Sequence, residues 1–169
     1  MNNLFQDYKH NKDFLELIHY KIGYKIYNLL LYKNHPNIII SGIKNSGKTL
    51  LIKTILNDVF NINKSLKKEL LIDNIYYETS YYHYYFDLKL INNNEKLLDL
   101  MKKIINSYNY YTNKHNYIIF DNYEYLCDTI QNKLRVIFEK CVNTSKIIII
   151  TTKYNHIIDP IKSRFINIR

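Results

Sequence analysis

Ser41-Gly42-Ile43-Lys44-Asn45-Ser46-Gly47-Lys48-Thr49 fits G-x-x-x-x-G-K-[ST], the spacing of a Walker A phosphate loop. Ahead of it, Asn37-Ile38-Ile39-Ile40 is an apolar β-branched run that reads as a buried strand. Behind it, Leu51, Ile52, Ile55, Leu56, Val59 and Phe60 fall on one helical stripe. The loop therefore lies between a strand and a helix, the context in which the motif has a mechanism. Gly42 and Gly47 let the backbone turn, so that N–H groups from Asn45 through Leu50, Ser46 among them, can face phosphate oxygens. Lys48 is placed to reach the β- and γ-phosphates, and Thr49 to offer its hydroxyl to Mg²⁺. The stretch predicts a nucleoside triphosphate site.

At 169 residues the chain is long enough for one domain with a proper core. Its 47% apolar and 23% charged residues describe a globular protein. Asn, Ile, Lys and Tyr are abundant and Arg is scarce, as in AT-rich coding sequence, so single Asn or Tyr residues carry little information. The rare residues carry more. Glycine occurs at positions 23, 42 and 47 only, and arginine at 135, 164 and 169 only. The formal charge of +9 suits a polyanionic partner such as nucleic acid, and equally follows from lysine-rich coding. Cys127 and Cys141 lack metal-ligand spacing and read as reduced core thiols. Neither a signal-peptide pattern nor a membrane-length apolar run is present, so an intracellular protein with no membrane partner is expected.

Helical spacing of Ile18, Ile22, Ile26 and Leu29 predicts a helix over Phe14 to Leu31, within an N-terminal helical segment over 1–35. Ile75 to Leu90 reads as one or two strands with a turn near Thr79-Ser80. Its tyrosines (76, 77, 81, 82, 84 and 85) suit sheet packing better than base stacking. Asn94 is placed to cap a helix with Leu97, Leu98, Met101, Ile104, Ile105 and Tyr108 on one face. Tyr117-Ile118-Ile119-Phe120 is a further strand, ended by Asp121, the position of a Walker B acid that would hold Mg²⁺. Asp128 and Gln131 have the spacing of a capping box for a helix carrying Ile130, Leu134, Ile137, Phe138 and Cys141. Lys146 to Thr152 is another continuous apolar strand, with Thr152 at its end to sense a γ-phosphate. Continuous rather than alternating strands between helices predict a doubly wound parallel α/β sheet with helices on both faces, a P-loop NTPase core over 36–169.

The order of these segments resembles the small subunits of clamp loaders, the replication factor C family of AAA+ proteins. The resemblance runs through Pro36 to Thr49, Asp121 to Glu124, Ile130 to Arg135 and Glu139-Lys140-Cys141. It ends in Ile157-Ile158-Asp159-Pro160-Ile161-Lys162-Ser163-Arg164-Phe165, similar to the family's Ser-Arg box and far more specific than the phosphate loop. Both prolines, Arg135 and Arg164 fall on family positions. The resemblance implies ATP and Mg²⁺ as cofactors and partnership with other clamp-loader subunits, a sliding clamp and primer–template DNA. The nucleus or a viral replication site is the implied location. Lys48, Asp121, Thr152 and Arg164 would be the catalytic set, with Thr152 at the first sensor and Arg164 as the finger toward a neighbour's γ-phosphate.

Departures from the family shape the expectation. Asn122 stands where the family has the glutamate that polarises the attacking water, and an amide cannot act as a base. Weak or no hydrolysis at this subunit's own site follows. Glu124, two residues on, is expected in a following helical turn rather than as a substitute. Phe165 replaces a cysteine, and the chain ends near the limit of the family's first subdomain, so the lid and collar domains are expected to be absent. A small nucleoside or nucleotide kinase and a degenerate AAA+ scaffold are the alternatives. A GTPase is weaker, since Asn155 replaces the guanine-reading Asp in Thr152-Lys153-Tyr154-Asn155.

Overall fold

The computed structural model describes residues 13–32, 34–60, 68–72, 75–80, 82–106 and 115–169. They fall into two compact units, one of 13–32, 34–35 and 47–60, the other of the remainder. The first unit is helical. A 3₁₀ turn at Asp13–Glu16 precedes α1 (Tyr20–Leu31), which packs against α2 (Lys48–Phe60). Ile26 and Leu30 of α1 and Leu51, Ile52, Ile55 and Leu56 of α2 are buried, the stripes that the 3.6-residue period marks out. The helix begins six residues later than the predicted Phe14. Ile18 lies in the link between turn and helix and is 93% exposed.

The second unit is built on seven strands: β1 (Asn37–Ser41), β2 (Lys68–Ile72), β3 (Ile75–Thr79), β4 (His83–Asp87), β5 (Asn116–Asp121), β6 (Ser145–Thr151) and β7 (Phe165–Ile168). Their order is β2-β3-β4-β5-β6-β1-β7. The last five are mutually parallel, whereas β3 runs antiparallel to both neighbours. The sheet is thus mixed, a parallel P-loop core extended at one edge by two strands. The extension follows from the tyrosines: Tyr76 is exposed and Tyr77 buried, an alternation that suits an antiparallel strand open on one side. By contrast every residue of β5 and β6 is buried, the mark of strands covered on both faces.

Two long helices of this unit, α3 (Asn94–Asn106) and α4 (Asp128–Lys140), contact each other and share one apolar cluster with the sheet. Leu97, Met101 and Ile104 from α3 and Leu134, Ile137 and Phe138 from α4 join Phe86, Ile118, Phe120, Ile147 and Ile149. Phe120 is at the centre, 5.7 Å from the Phe86 ring and 5.8 Å from Phe138. Burying one such side chain stabilises by about 1.5–3 kcal/mol, so this cluster dominates the unit's stability. The tyrosines expected to pack do so: Tyr77 stacks on Phe86 at 5.3 Å and Tyr82 is fully buried. Tyr81 and Tyr108 lie outside the described residues.

Three local expectations are corrected. The cap of α3 is Asn93 rather than Asn94, its Oδ1 accepting from the N–H groups of Glu95 and Lys96 at 3.1 Å. Asp128 and Gln131 form no capping box, because Cys127 occupies the cap position and the Gln131 amide turns inward instead. Cys127 is consequently exposed at the helix start rather than in the core; only Cys141 is buried.

Candidate functional site

Parallel pairing aligns the carboxyl ends of β1, β4, β5 and β6 along one edge of the sheet, at Ser41, Asp87, Asp121 and Thr151. In open α/β sheets this edge is where ligands bind. The phosphate loop leaves the sheet here, with the Gly42 N–H donating to the Thr151 carbonyl at 3.3 Å. Asn45 and Gly47 adopt φ of 60° and 80°, the left-handed geometry that lets consecutive N–H groups turn to one side. A Cβ on Gly47 would meet nothing within 4 Å, so its φ, not crowding, requires glycine there. Lys48 opens α2, whose ladder starts with the Leu51 N–H on the Gly47 carbonyl at 2.8 Å. Gly42, Ser46, Lys48 and Thr49 are half-buried, while Asn45, Gly47 and Leu50 are exposed. A glycine-containing loop opening a 13-residue helix is the arrangement that binds phosphate.

Asp121 is the buried acid of the edge. Its Oδ1 accepts the Asn122 N–H at 2.8 Å, and its Oδ2 accepts the Tyr85 hydroxyl at 2.8 Å. Burial and the Asp121 charge push the Tyr85 phenol far up, so it stays a donor at any working pH. Mg²⁺ ordinarily takes one or two carboxylates from a protein and keeps most of its waters and its phosphate contacts. The single oriented carboxylate of Asp121 fits that ion. Among the described residues no three His, Cys, Asp or Glu side chains converge as a metal cage of another kind.

Asn122 has φ 56°, a left-handed conformation that asparagine tolerates better than most residues. Its Nδ2 donates to Asp87 Oδ1 at 2.7 Å. Asp87, aligned with Asp121 across β4 and β5, thus joins the site, and the same Oδ1 accepts the Lys89 N–H at 3.1 Å.

Glu124 lies in a 3₁₀ turn, Tyr123–Tyr125, rather than in a helix. Its carboxylate gathers the end of β6: Oε2 accepts the Thr151 hydroxyl at 2.7 Å and the Thr152 N–H at 3.2 Å, and Oε1 accepts the Thr152 hydroxyl at 2.6 Å. Thr152 is therefore held by Glu124. Burial raises the Glu124 carboxyl, but the hydrogen bonds from Thr152 and Thr151 outweigh it and leave it below its ordinary value.

Arg164 stands apart from this edge, after α5 (Asp159–Lys162). Its Nη2 is 3.2 Å from Glu139 Oε1, and its Nη1 donates to the Pro160 carbonyl at 2.7 Å. The guanidinium is half exposed, and Arg135 Nε lies 4.0 Å from the same Glu139 oxygen. Sequence reasoning overlooked Asp87 and Tyr85 and underrated Glu124. An acid ending the aromatic strand, like Asp121 ending its own, was the available sign of Asp87.

No family model matches the chain. A protein of Acanthamoeba polyphaga mimivirus described as a replication factor C small subunit is 31% identical over 147 residues, 76% of this chain. The chain spans 38% of that relative's length. The Aeropyrum pernix Orc1 protein, solved in complex with DNA, superposes with a TM-score of 0.62 over 98% of this chain and 48% of its own, at 12% identity. A DNA polymerase III gamma subunit-related protein from Thermotoga maritima gives 0.61 over 86% and 44%, at 13% identity. Thermotoga maritima RuvB gives 0.59 over 89% and 45%, also at 13% identity. At such identities the solved structures speak for the fold, an AAA+ P-loop core, and the viral relative for the branch. Over the part of that relative it spans, the chain is similar to the replication factor C small subunits of the clamp-loader-like AAA+ proteins.

Proposed function

We propose that this protein is an ATP-binding clamp-loader subunit that acts in DNA replication, joining other subunits to place a sliding clamp on primer–template DNA. The phosphate loop between β1 and α2, beside a carboxyl edge that carries Asp121, is the observation that supports it. Backbone N–H groups of Asn45 to Leu50 would bind the phosphates, Lys48 would neutralise the β- and γ-phosphates, and the motif positions of Thr49 and, separately, Asp121 are those that serve Mg²⁺. The ion would supply charge neutralisation on the phosphoryl oxygens. Hydrolysis at this site is slow, because Asn122 cannot accept a proton. Arg164 would serve a neighbouring subunit's nucleotide, exchanging Glu139 for a phosphate. A phosphotransferase is disfavoured: Arg135 and Arg164 both lie beside Glu139, and Arg169 stacks over Tyr154 at 5.2 Å.

The test is a titration of ATP, ADP and GTP with Mg²⁺ against the wild type and Lys48→Ala. Adenine nucleotide is expected to bind the wild type and to lose at least tenfold in affinity in the variant, the weight of one charge-assisted contact or more. A wild type that binds no nucleotide would leave a scaffold.

A further inference from the structure

Asn122 removes a carboxylate from the residue after Asp121, yet the edge has not lost that charge. The neighbouring strand returns it. Asp87 ends β4 in register with Asp121 of β5, and the Asn122 amide grips Asp87 Oδ1 at 2.7 Å. The Lys89 N–H holds the same oxygen at 3.1 Å. Both contacts fall on Oδ1, and the described residues place no hydrogen bond on Oδ2. A carboxylate clamped through one oxygen presents the other at a fixed angle, which is how a positioned base is built. The left-handed backbone at Asn122 aims the amide sideways along the sheet edge, so the asparagine acts as a clamp. Tyr85 ties the second acid in place, and the charges of Asp121 and Asp87 both bear on its phenol. The two carboxylates are thus held separately, one by a phenol and one by an amide, and are free to take different parts.

We propose that Asp87 is the base that activates water for ATP hydrolysis in this subunit, with Asn122 as its positioning residue; this rests on the nucleotide-binding reading above. Asp87 Oδ2 takes a proton from a water molecule as the water oxygen bonds to the γ-phosphorus. The bond from that phosphorus to the β,γ-bridging oxygen breaks, its electron pair leaving with ADP, and inorganic phosphate carries the water oxygen. The slow turnover expected of the chain runs through this route.

Four proteins decide it: wild type, Asp87→Asn, Asn122→Ala and the exchange Asp87→Asn with Asn122→Asp. Each is measured for ATP and ADP affinity, for affinity to ADP with aluminium fluoride, for phosphate release under single turnover, and for melting temperature. Asp87→Asn is expected to bind ATP and ADP within about twofold of wild type. It should release phosphate about a hundredfold more slowly or worse, the lower reach of general-base catalysis, and bind ADP–aluminium fluoride correspondingly less tightly. Asn122→Ala should fall in the same direction by less, and the exchange, which reverses the amide–carboxylate pair, should recover part of both readings. Phosphate release and fluoroaluminate affinity unchanged in Asp87→Asn overturn the assignment, as does a wild type that binds ATP without ever cleaving it. A melting temperature that falls in step with activity across all variants would reduce Asp87 to a structural role. Absence of nucleotide binding in the wild type defeats the underlying reading first and is recognised by that.

Discussion

Glu124 shows how one side chain can fix the working end of a strand. Three donors from Thr151 and Thr152 converge on its carboxylate, two of them hydroxyls that would otherwise be free to turn. Thr151 is buried, so its hydroxyl has few other partners, apart from the Lys153 N–H that it accepts at 3.1 Å. These bonds favour the charged carboxylate over the acid, and the folded protein therefore binds a proton at Glu124 less readily than the unfolded chain does. The sign follows directly. A carboxyl whose folded pKa lies below its unfolded one adds stability that is complete above the ordinary value of 4.5 and drains away as pH falls through the folded pKa. Urea midpoints measured from pH 7 to pH 3 should drop more steeply in wild type than in Glu124→Gln. At pH 7 the variant should be less stable by about 1 kcal/mol, the weight of one or two hydrogen bonds to a charged group reduced for partial exposure. Parallel pH profiles would show that the threonines are held by something else.

At the scale of elements, Gln131 does what no helix cap could. It sits in the first turn of α4, 1% exposed, and its amide reaches three separate backbone groups. Nε2 donates to the carbonyls of Leu126 at 3.0 Å and His156 at 2.9 Å, and Oε1 accepts the Ile158 N–H at 3.1 Å. One side chain thereby joins the turn after β5, the start of α4 and the turn after β6, which leads through α5 to Arg164. Gln131→Ala should cost about 3 kcal/mol in urea denaturation, because it strands buried backbone groups and leaves a cavity as well. Gln131→Glu should cost no less, since a carboxylate cannot donate to two carbonyls. A loss under about 1 kcal/mol for Gln131→Ala would mean water takes over the bridge. The same residue marks what a sequence can and cannot disclose. The strands β1, β5 and β6 were legible because a run such as Ile147 to Ile150 has one stable fate, burial on both faces. The phosphate loop and Asp121 were legible because their spacing is local. Gln131, Asp87 and Glu124 were not, since their partners lie 27, 35 and 28 residues away and a polar side chain near a helix start looks the same whether it caps or crosses. The sheet's antiparallel extension was blurred likewise, as tyrosine-rich text favours strands without stating their direction.

For the whole chain, the excess of nine positive charges becomes meaningful only where it meets geometry. Between α3 and α4 runs a groove of about 730 Å³ whose floor includes Leu98, Ile105 and Val136 and whose rim carries Lys102, Lys133 and Lys140. Lys102 is engaged by Asp99 at 2.9 Å, whereas Lys133 and Lys140 make no ion pair among the described residues. Both belong to α4, seven residues and almost two full helical turns apart, so they lie along one side of the helix. Lysine enrichment from coding alone would scatter charge without regard to face, and a partner of DNA would need it where phosphates run. The salt dependence of duplex binding separates the two. Each phosphate neutralised contributes about 0.9 to the slope of log affinity against log salt. If α4 meets primer–template DNA, Lys133→Glu and Lys140→Glu should each weaken binding uniformly across sequences and each lower the slope by about 1. The melting temperature should stay near that of wild type, because exposed charges contribute little to stability. Slopes that remain at the wild-type value in both variants would move the DNA contact off this helix and return its lysines to the background of the composition.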